Sequence, residues 1–155
     1  MTEGNAGDDS SHRRFAVACN NRTWDLLETP DRSEAQSREM LHAAHSSAYH
    51  WAIAGTPLNV ARADLTVSRV YAALGWGGLA REFAARCMRY CESNHVEDWD
   101  IAFAHVAMAH AEALLGNRAE HRRAYELAQT AIARVAKDGD REVVAGDFRR
   151  VPPPE

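Results

Sequence analysis

The chain has 155 residues, of which 46% are hydrophobic, 26% charged and 8% aromatic, with nine Gly and five Pro. That length predicts one domain, and the apolar fraction is enough to close a core and too high for a disordered chain. The formal charge of −4 and isoelectric point near 6.1 lack the basic excess of a nucleic-acid surface. No apolar run approaches the roughly 20 residues of a membrane helix, and Met1-Thr2-Glu3-Gly4-Asn5 is not a basic-then-apolar signal. The expectation is a soluble, cytoplasmic protein without nucleic-acid or membrane partners.

Residues 1–13, with Gly4, Gly7, Asp8, Asp9, Ser10 and Ser11, show no periodicity and read as a disordered N-terminal tail. Residues 14–150 read as a single all-helical domain. Breakers divide it at Thr29-Pro30-Asp31, Gly55-Thr56-Pro57, Gly75-Trp76-Gly77-Gly78, Ser93-Asn94-His95, Gly116-Asn117 and Asp138-Gly139-Asp140. Gly55, Gly75 and Gly116 suit left-handed helix ends, and Asp31, Asp98 and Asp138 or Asp140 suit helix starts. Seven helices are predicted, at about 14–28, 31–54, 57–75, 78–93, 98–115, 118–136 and 140–149. Residues 151–155, Val151-Pro152-Pro153-Pro154-Glu155, cannot continue a helix and read as a Pro-rich disordered tail.

Apolar stripes support this division. Leu79, Phe83, Cys87 and Tyr90 recur at steps of four and three along the fourth helix, as do Trp99, Phe103, Val106, His110 and Ala113 along the fifth. The third helix carries two stripes, one through Val60, Val67, Tyr71 and Leu74 and one through Leu58, Ala61, Leu65 and Ala72, which predicts a central position. Alanine, the strongest helix former, supplies 29 residues, and no segment alternates with the period of a strand. Links of a few residues make consecutive helices antiparallel hairpins. The fold expected is all-α, with six or seven antiparallel helices.

Ala73-Leu74-Gly75 followed by Ala80, Phe83 and Cys87 echoes Leu114-Leu115-Gly116 followed by His121, Tyr125 and Ala128. This pattern resembles that of tetratricopeptide repeats, where a turn glycine precedes a small residue, an aromatic and another alanine along the second helix. The resemblance covers about residues 57–136, with longer helices and without the family's usual Trp and Pro positions. It implies hairpins whose first helices line a concave groove. A second resemblance rests on residues 44–51, 56–62, 68–75 and 98–104 and on Asp140-Arg141. These are similar to a family of small bacterial all-helical proteins of uncharacterised function, which implies a hairpin scaffold and carries no activity. Arginine supplies 17 of the 18 basic residues, a skew that fits a GC-rich bacterial genome.

Cys19, Cys87 and Cys91 are odd in number, which points to reduced thiols in the cytoplasm. Cys87 and Cys91, one turn apart, read as small buried apolar residues rather than metal ligands. Of eight histidines, His42, His45, His50, His105 and His110 lie in two helices. At 100° per residue, His45 and His50 diverge by about 140°, as do His105 and His110, so neither pair chelates from one helix. Glu39-x-x-His42-x-x-His45 is half of a di-iron pattern whose second half is missing.

A polar stripe on the third helix, Asn59, Arg62, Thr66 and Arg69, is the leading candidate site. Two guanidinium forks and an amide suit a carboxylate, a phosphate or a peptide backbone. The hairpin analogy adds Asp98, His105 and Glu112 from the fifth helix, and His50 joins the candidates from the second. The opposing reading pairs Arg62 and Arg69 with Asp64, Asp98, Asp100 or Asp140 as braces between hairpins. No nucleophile elbow or Gly-rich phosphate loop is present. The function expected is a non-enzymatic module without cofactor. Its groove, with Asn59, Arg62, Arg69, His105 and His50, would hold a protein or peptide partner, and an apolar helix face would allow a homodimer. The alternative is a small-molecule or metal-dependent enzyme whose histidines converge from different helices.

Overall fold

The helices are long because their interiors hold alanine and leucine where packing does not decide, and each ends where a residue can satisfy the stranded backbone groups. In the computed structural model, residues 5–155 are described, with side chains from Asp8 onward. Among them the chain forms seven α-helices and no strand: α1 (Asn5–Glu28), α2 (Glu34–Ala54), α3 (Pro57–Ala73), α4 (Gly77–Ser93), α5 (Asp98–Leu115), α6 (Arg118–Arg134) and α7 (Asp138–Phe148). The all-α reading of the sequence is thus the observed class.

The caps differ from the expected ones in detail. Ser33, not Asp31, starts α2 through a reciprocal capping box with Gln36, while Asp31 sits in the preceding turn at φ 49. Thr56 and Asn59 form the same box before α3, with Pro57 opening the helix. Asp98 caps no amide of its own helix; it accepts from the Ala136 amide at 2.8 Å and so ties the start of α5 to the entry of α7. Gly116 ends α5 at φ 70, as expected. Gly55 instead ends α2 in extended backbone at φ −94, and its lack of a side chain is required by crowding: a Cβ there would lie 2.6 Å from the Trp51 carbonyl oxygen.

Both expected tails also differ. Residues 8–13 continue α1, with Asp8 favourably placed in the first turn of the helix and His12 packed on α2; residues 1–4 of the expected tail lie outside the described residues. At the other end Val151 is buried, the Pro152 carbonyl lies 2.9 Å from His121 Nε2, and Arg122 donates to the Glu155 carbonyl at 2.7 Å. This segment is held against α6 by hydrogen bonds that its prolines, which lack only the donor, can still accept.

Every helix packs on its chain neighbours, and α1–α3, α3–α5 and α5–α7 also touch. Odd-numbered helices therefore form an inner row, while α2, α4 and α6 stand outside it, α2 and α4 meeting through the edge-on rings of His45 and Phe83. The hairpins stack, and α3 and α5 become central. From Ala61 to Ala72 all of α3 except Arg62 and Asp64 is buried. Two apolar clusters meet at this row. One gathers Leu65, Cys87, Cys91, Phe103, Val106 and Val144; the other gathers Leu26, Leu27, Met40, Val67, Val70 and Tyr71, and Trp24 packs against both. Buried hydroxyls are satisfied: Ser47 donates to the Ala16 carbonyl at 2.8 Å, and Ser68 to the Ala80 carbonyl at 2.7 Å.

The crowding at Gly55 makes a pair of substitutions diagnostic. Gly55→Ala forces a backbone shift and should cost about 2–3 kcal/mol. Gly78→Ala, inside α4 with open space around it, should gain up to about 1 kcal/mol from lower unfolded-state entropy. Chemical denaturation of the two variants checks both signs.

Candidate functional site

The inner row of helices encloses two hollows that meet at Glu28. The first, of about 490 Å³, takes Asn20, Asn21 and Trp24 from α1, Trp51 from α2, Asn59, Arg62, Leu65 and Thr66 from α3, and Trp99 and Phe103 from α5, with Val143 of α7 at its edge. Three of the four tryptophans of the chain line it. The second, of about 580 Å³, lies between the end of α1 with its following turn and the ends of α3 and α7. Its lining includes Asp31, Arg32, Arg69, His110, Asp147 and Arg150.

Arg62 and Arg69 stand two turns apart on α3, and each meets a carboxylate. Arg62 forms a two-pronged pair with Asp100 of α5, Nε to Oδ1 and Nη2 to Oδ2 both at 2.8 Å. Its guanidinium also lies 4.3 Å from the Trp99 ring centre, a cation–π contact. The Asp100 hydrogen bond, outweighing partial burial, raises the Arg62 pKa further above its ordinary value. Arg69 is 2% exposed and Asp147 of α7 is 4% exposed. Arg69 Nη2 donates to Asp147 Oδ1 at 3.0 Å, and Nε lies 2.8 Å from Oδ2 as an ionic contact. His110 of α5 places Nδ1 3.1 Å from Arg69 Nη1, and Arg150 donates to Asp147 Oδ1 at 3.1 Å.

The guanidinium has no acceptor, so the close Arg69 contact requires His110 to present a bare Nδ1. Burial, reinforced by the Arg69 charge, lowers the His110 pKa to about 4 and keeps that nitrogen neutral.

Asn59 and Arg62 therefore share the first hollow, and Arg69 lies in the second. His105 and His50 line neither. Burial lowers the His105 pKa against the opposing pull of Glu92. His50 packs at the α1–α2 junction, Nδ1 to Nδ1 2.7 Å from His12 and against the rings of Phe15 and Tyr49. The five candidates do not form one site. Arg62 meets Asp100, one of the carboxylates expected of a brace; Asp147, the partner of Arg69, was not among them. Asn59 is engaged in the α3 cap, where its Oδ1 accepts from the Thr56 amide at 2.9 Å.

The remaining histidines also disperse. His45 Nε2 meets the Tyr71 hydroxyl at 2.8 Å, and its pKa falls mainly by desolvation. Among the described residues no group of three or more His, Cys, Asp or Glu side chains is arranged to hold a metal ion. Cys87 and Cys91 are buried on one face of α4, and all three cysteines are free thiols. Hydrogen bonding between the pair, strengthened by burial at Cys87, pushes the Cys87 pKa up, while the bond to Cys87 pulls that of Cys91 down.

Sequence reasoning missed Asn20, Asn21, Trp24 and Trp51. One signal for the first three was present: two adjacent asparagines inside a helix, where their side chains compete with the backbone, one turn before a tryptophan. Asp147 gave none, because its partner is 78 positions away. No family model, no curated protein and no solved structure matches the chain.

The His110 environment dictates a pH response. Above about pH 6.5 an unfolded histidine is neutral, as the folded one is. As pH falls through that value the unfolded chain takes up a proton that folded His110 refuses until about pH 4, so stability declines across that window. His110→Gln keeps an acceptor for Arg69 and should show a shallower decline in thermal midpoint over the same range. An unchanged slope would contradict the assignment.

Proposed function

We propose that this protein is a non-enzymatic binding module of tetratricopeptide-like helical hairpins, whose inner groove holds an extended segment of a protein partner. The observation that carries this reading is the composition of the first hollow: Trp24, Trp51, Trp99 and Phe103 stand among the amides of Asn20, Asn21 and Asn59. Flat aromatic walls bury apolar side chains with little loss of rotamer freedom; the Asn21 amide, and the amide nitrogens of Asn20 and Asn59 whose oxygens already accept from Thr66 and Thr56, can bond a peptide backbone. The order of helix contacts supports the same comparison, since an inner row of first helices is the arrangement that the tetratricopeptide pattern implies.

The arginines enter this proposal differently from the sequence expectation. Arg62 and Arg69 are held by Asp100 and Asp147 and so shape the groove instead of gripping an anion. Arg62 retains a contact role through its plane, which lies against Trp99 at the wall of the hollow. The free thiols fit a reducing compartment, which we take to be a bacterial cytoplasm.

The test is selection of a phage-displayed random peptide library on the full chain, followed by titration of the enriched peptides. They should alter tryptophan emission and bind Trp51→Ala roughly tenfold more weakly, in line with loss of one interface aromatic. Trp51 belongs to neither apolar cluster, so the variant should unfold near the wild-type midpoint. Failure to enrich any peptide, or equal binding by a folded Trp51→Ala, would contradict the reading.

A further inference from the structure

Charge does not single out an occupant for the groove. Arg62 is paired with Asp100 in the first hollow, and in the second the guanidiniums of Arg32, Arg69 and Arg150 balance the carboxylates of Asp147, Glu28 and Asp31. Selection is left to shape and hydrogen bonding, and there the first hollow is one-sided. The Asn59 oxygen accepts from the Thr56 amide and hydroxyl, both at 2.9 Å, and the Asn20 oxygen accepts from the Thr66 hydroxyl at 3.2 Å. The nitrogens of those two amides make no hydrogen bond among the described residues, nor do the indole N–H groups of Trp24, Trp51 and Trp99, and none of the five is shut away from solvent. Arg62 keeps Nη1 as well, since Asp100 takes Nε and Nη2.

Against these donors stand few acceptors: the Asn21 oxygen and, where the two hollows meet, the Glu28 carboxylate. An ordinary extended strand offers an N–H for every C=O, and its donors would leave water for a lining with little to receive them. A proline-rich segment presents the same carbonyls but has no N–H at any proline. It is also extended before it binds, as a polyproline II helix, so docking on an aromatic wall imposes little further order. The chain itself shows carbonyl capture of this kind at its C-terminus, where His121 and Arg122 of α6 hold residues 152–155 through the Pro152 and Glu155 carbonyls at 2.9 and 2.7 Å.

Resting on the peptide-binding role proposed above, we propose that the occupant is an uncharged, proline-rich segment of a partner protein in the polyproline II conformation. Its rings lie against Trp24, Trp51 and Trp99, and its carbonyls accept from the Asn20 and Asn59 amides and the indole nitrogens. Such a segment has three residues and about 9 Å per turn, so prolines three apart fall on one face and present a row of rings to the aromatic wall.

The probes are two fluorescein-labelled peptide pools, built of Xaa-Pro-Pro or Xaa-Ala-Ala units with Xaa drawn from uncharged residues, titrated by fluorescence anisotropy against the full chain. The proline pool should bind roughly tenfold more tightly than the alanine pool. Asn59→Asp keeps an oxygen for the Thr56 amide and places a negative charge in the first turn of α3, so the helix start is retained while one donor is lost. Trp51→Phe keeps a ring and loses the indole N–H. In each variant, with helicity unchanged by circular dichroism, the ratio should shrink to about threefold or less. Equal binding of the two pools by the wild type, or a tenfold ratio kept by either folded variant, would overturn the proline assignment while leaving the groove a peptide site. A dimer in light scattering that the proline pool splits would seat a second copy in the groove and overturn the assignment to a partner. Binding of neither pool would overturn the proline assignment, and the peptide site falls with it only if the random library also enriches nothing.

Discussion

The side chain on which this architecture turns is Arg69. A guanidinium does not lose its charge at any ordinary pH, so withdrawing it from water to 2% exposure demands an opposite charge and acceptors at close range. Asp147 supplies the charge from α7, and His110 supplies a neutral acceptor from α5. The inner row is thereby tied together at its core: Arg69 reaches from α3 to α7, and its charge keeps its partner only while α7 stays docked. Apolar contacts alone would close the same helices with less regard for register, because hydrophobic burial has no direction. The Arg62–Asp100 pair repeats the device two turns away along α3, between α3 and α5.

The two braces also bear on the binding role proposed for the groove. With Arg62 and Arg69 paired internally, the lining of the two hollows keeps tryptophan faces, asparagine amides, the carboxylates of Glu28 and Asp31 and the guanidiniums of Arg32 and Arg150. In the proposed reading, the pairs that hold α3 in place are also those that withdraw Arg62 and Arg69 from an occupant. Trp99 shows the overlap most directly, with its ring packed edge-on against Phe103 in the core and its plane against Arg62 at the wall.

Much of the fold was legible in the sequence because helices announce their ends locally. Thr56-Pro57, Gly75 and Gly116 place boundaries through backbone chemistry that does not wait for tertiary structure, and the double stripe of α3 gave its central position. The misread boundaries were those where a neighbouring element decides. Residues 8–13 lack an apolar period, yet they form helix where His12 can pack on His50 of α2; the C-terminal prolines look free in sequence but rest on His121 and Arg122. Gly55 was read as a conformational glycine and is one of close approach to Trp51. The site was less legible, because the polar stripe of Asn59, Arg62, Thr66 and Arg69 is visible on one helix while the carboxylates that neutralise it are 38 and 78 positions distant.

The central claim, that the α3–α7 ion pair braces the hairpin stack, is tested most directly by a double-mutant cycle on Arg69→Leu and Asp147→Leu, with stability measured by denaturant unfolding. Asp147→Leu strands the buried Arg69 charge and should cost about 3–5 kcal/mol. Arg69→Leu leaves Asp147 its bond from Arg150 and should cost less, about 2–3 kcal/mol, and the double variant should cost well under the sum of the two. Additive losses, or single losses below about 1 kcal/mol, would contradict it.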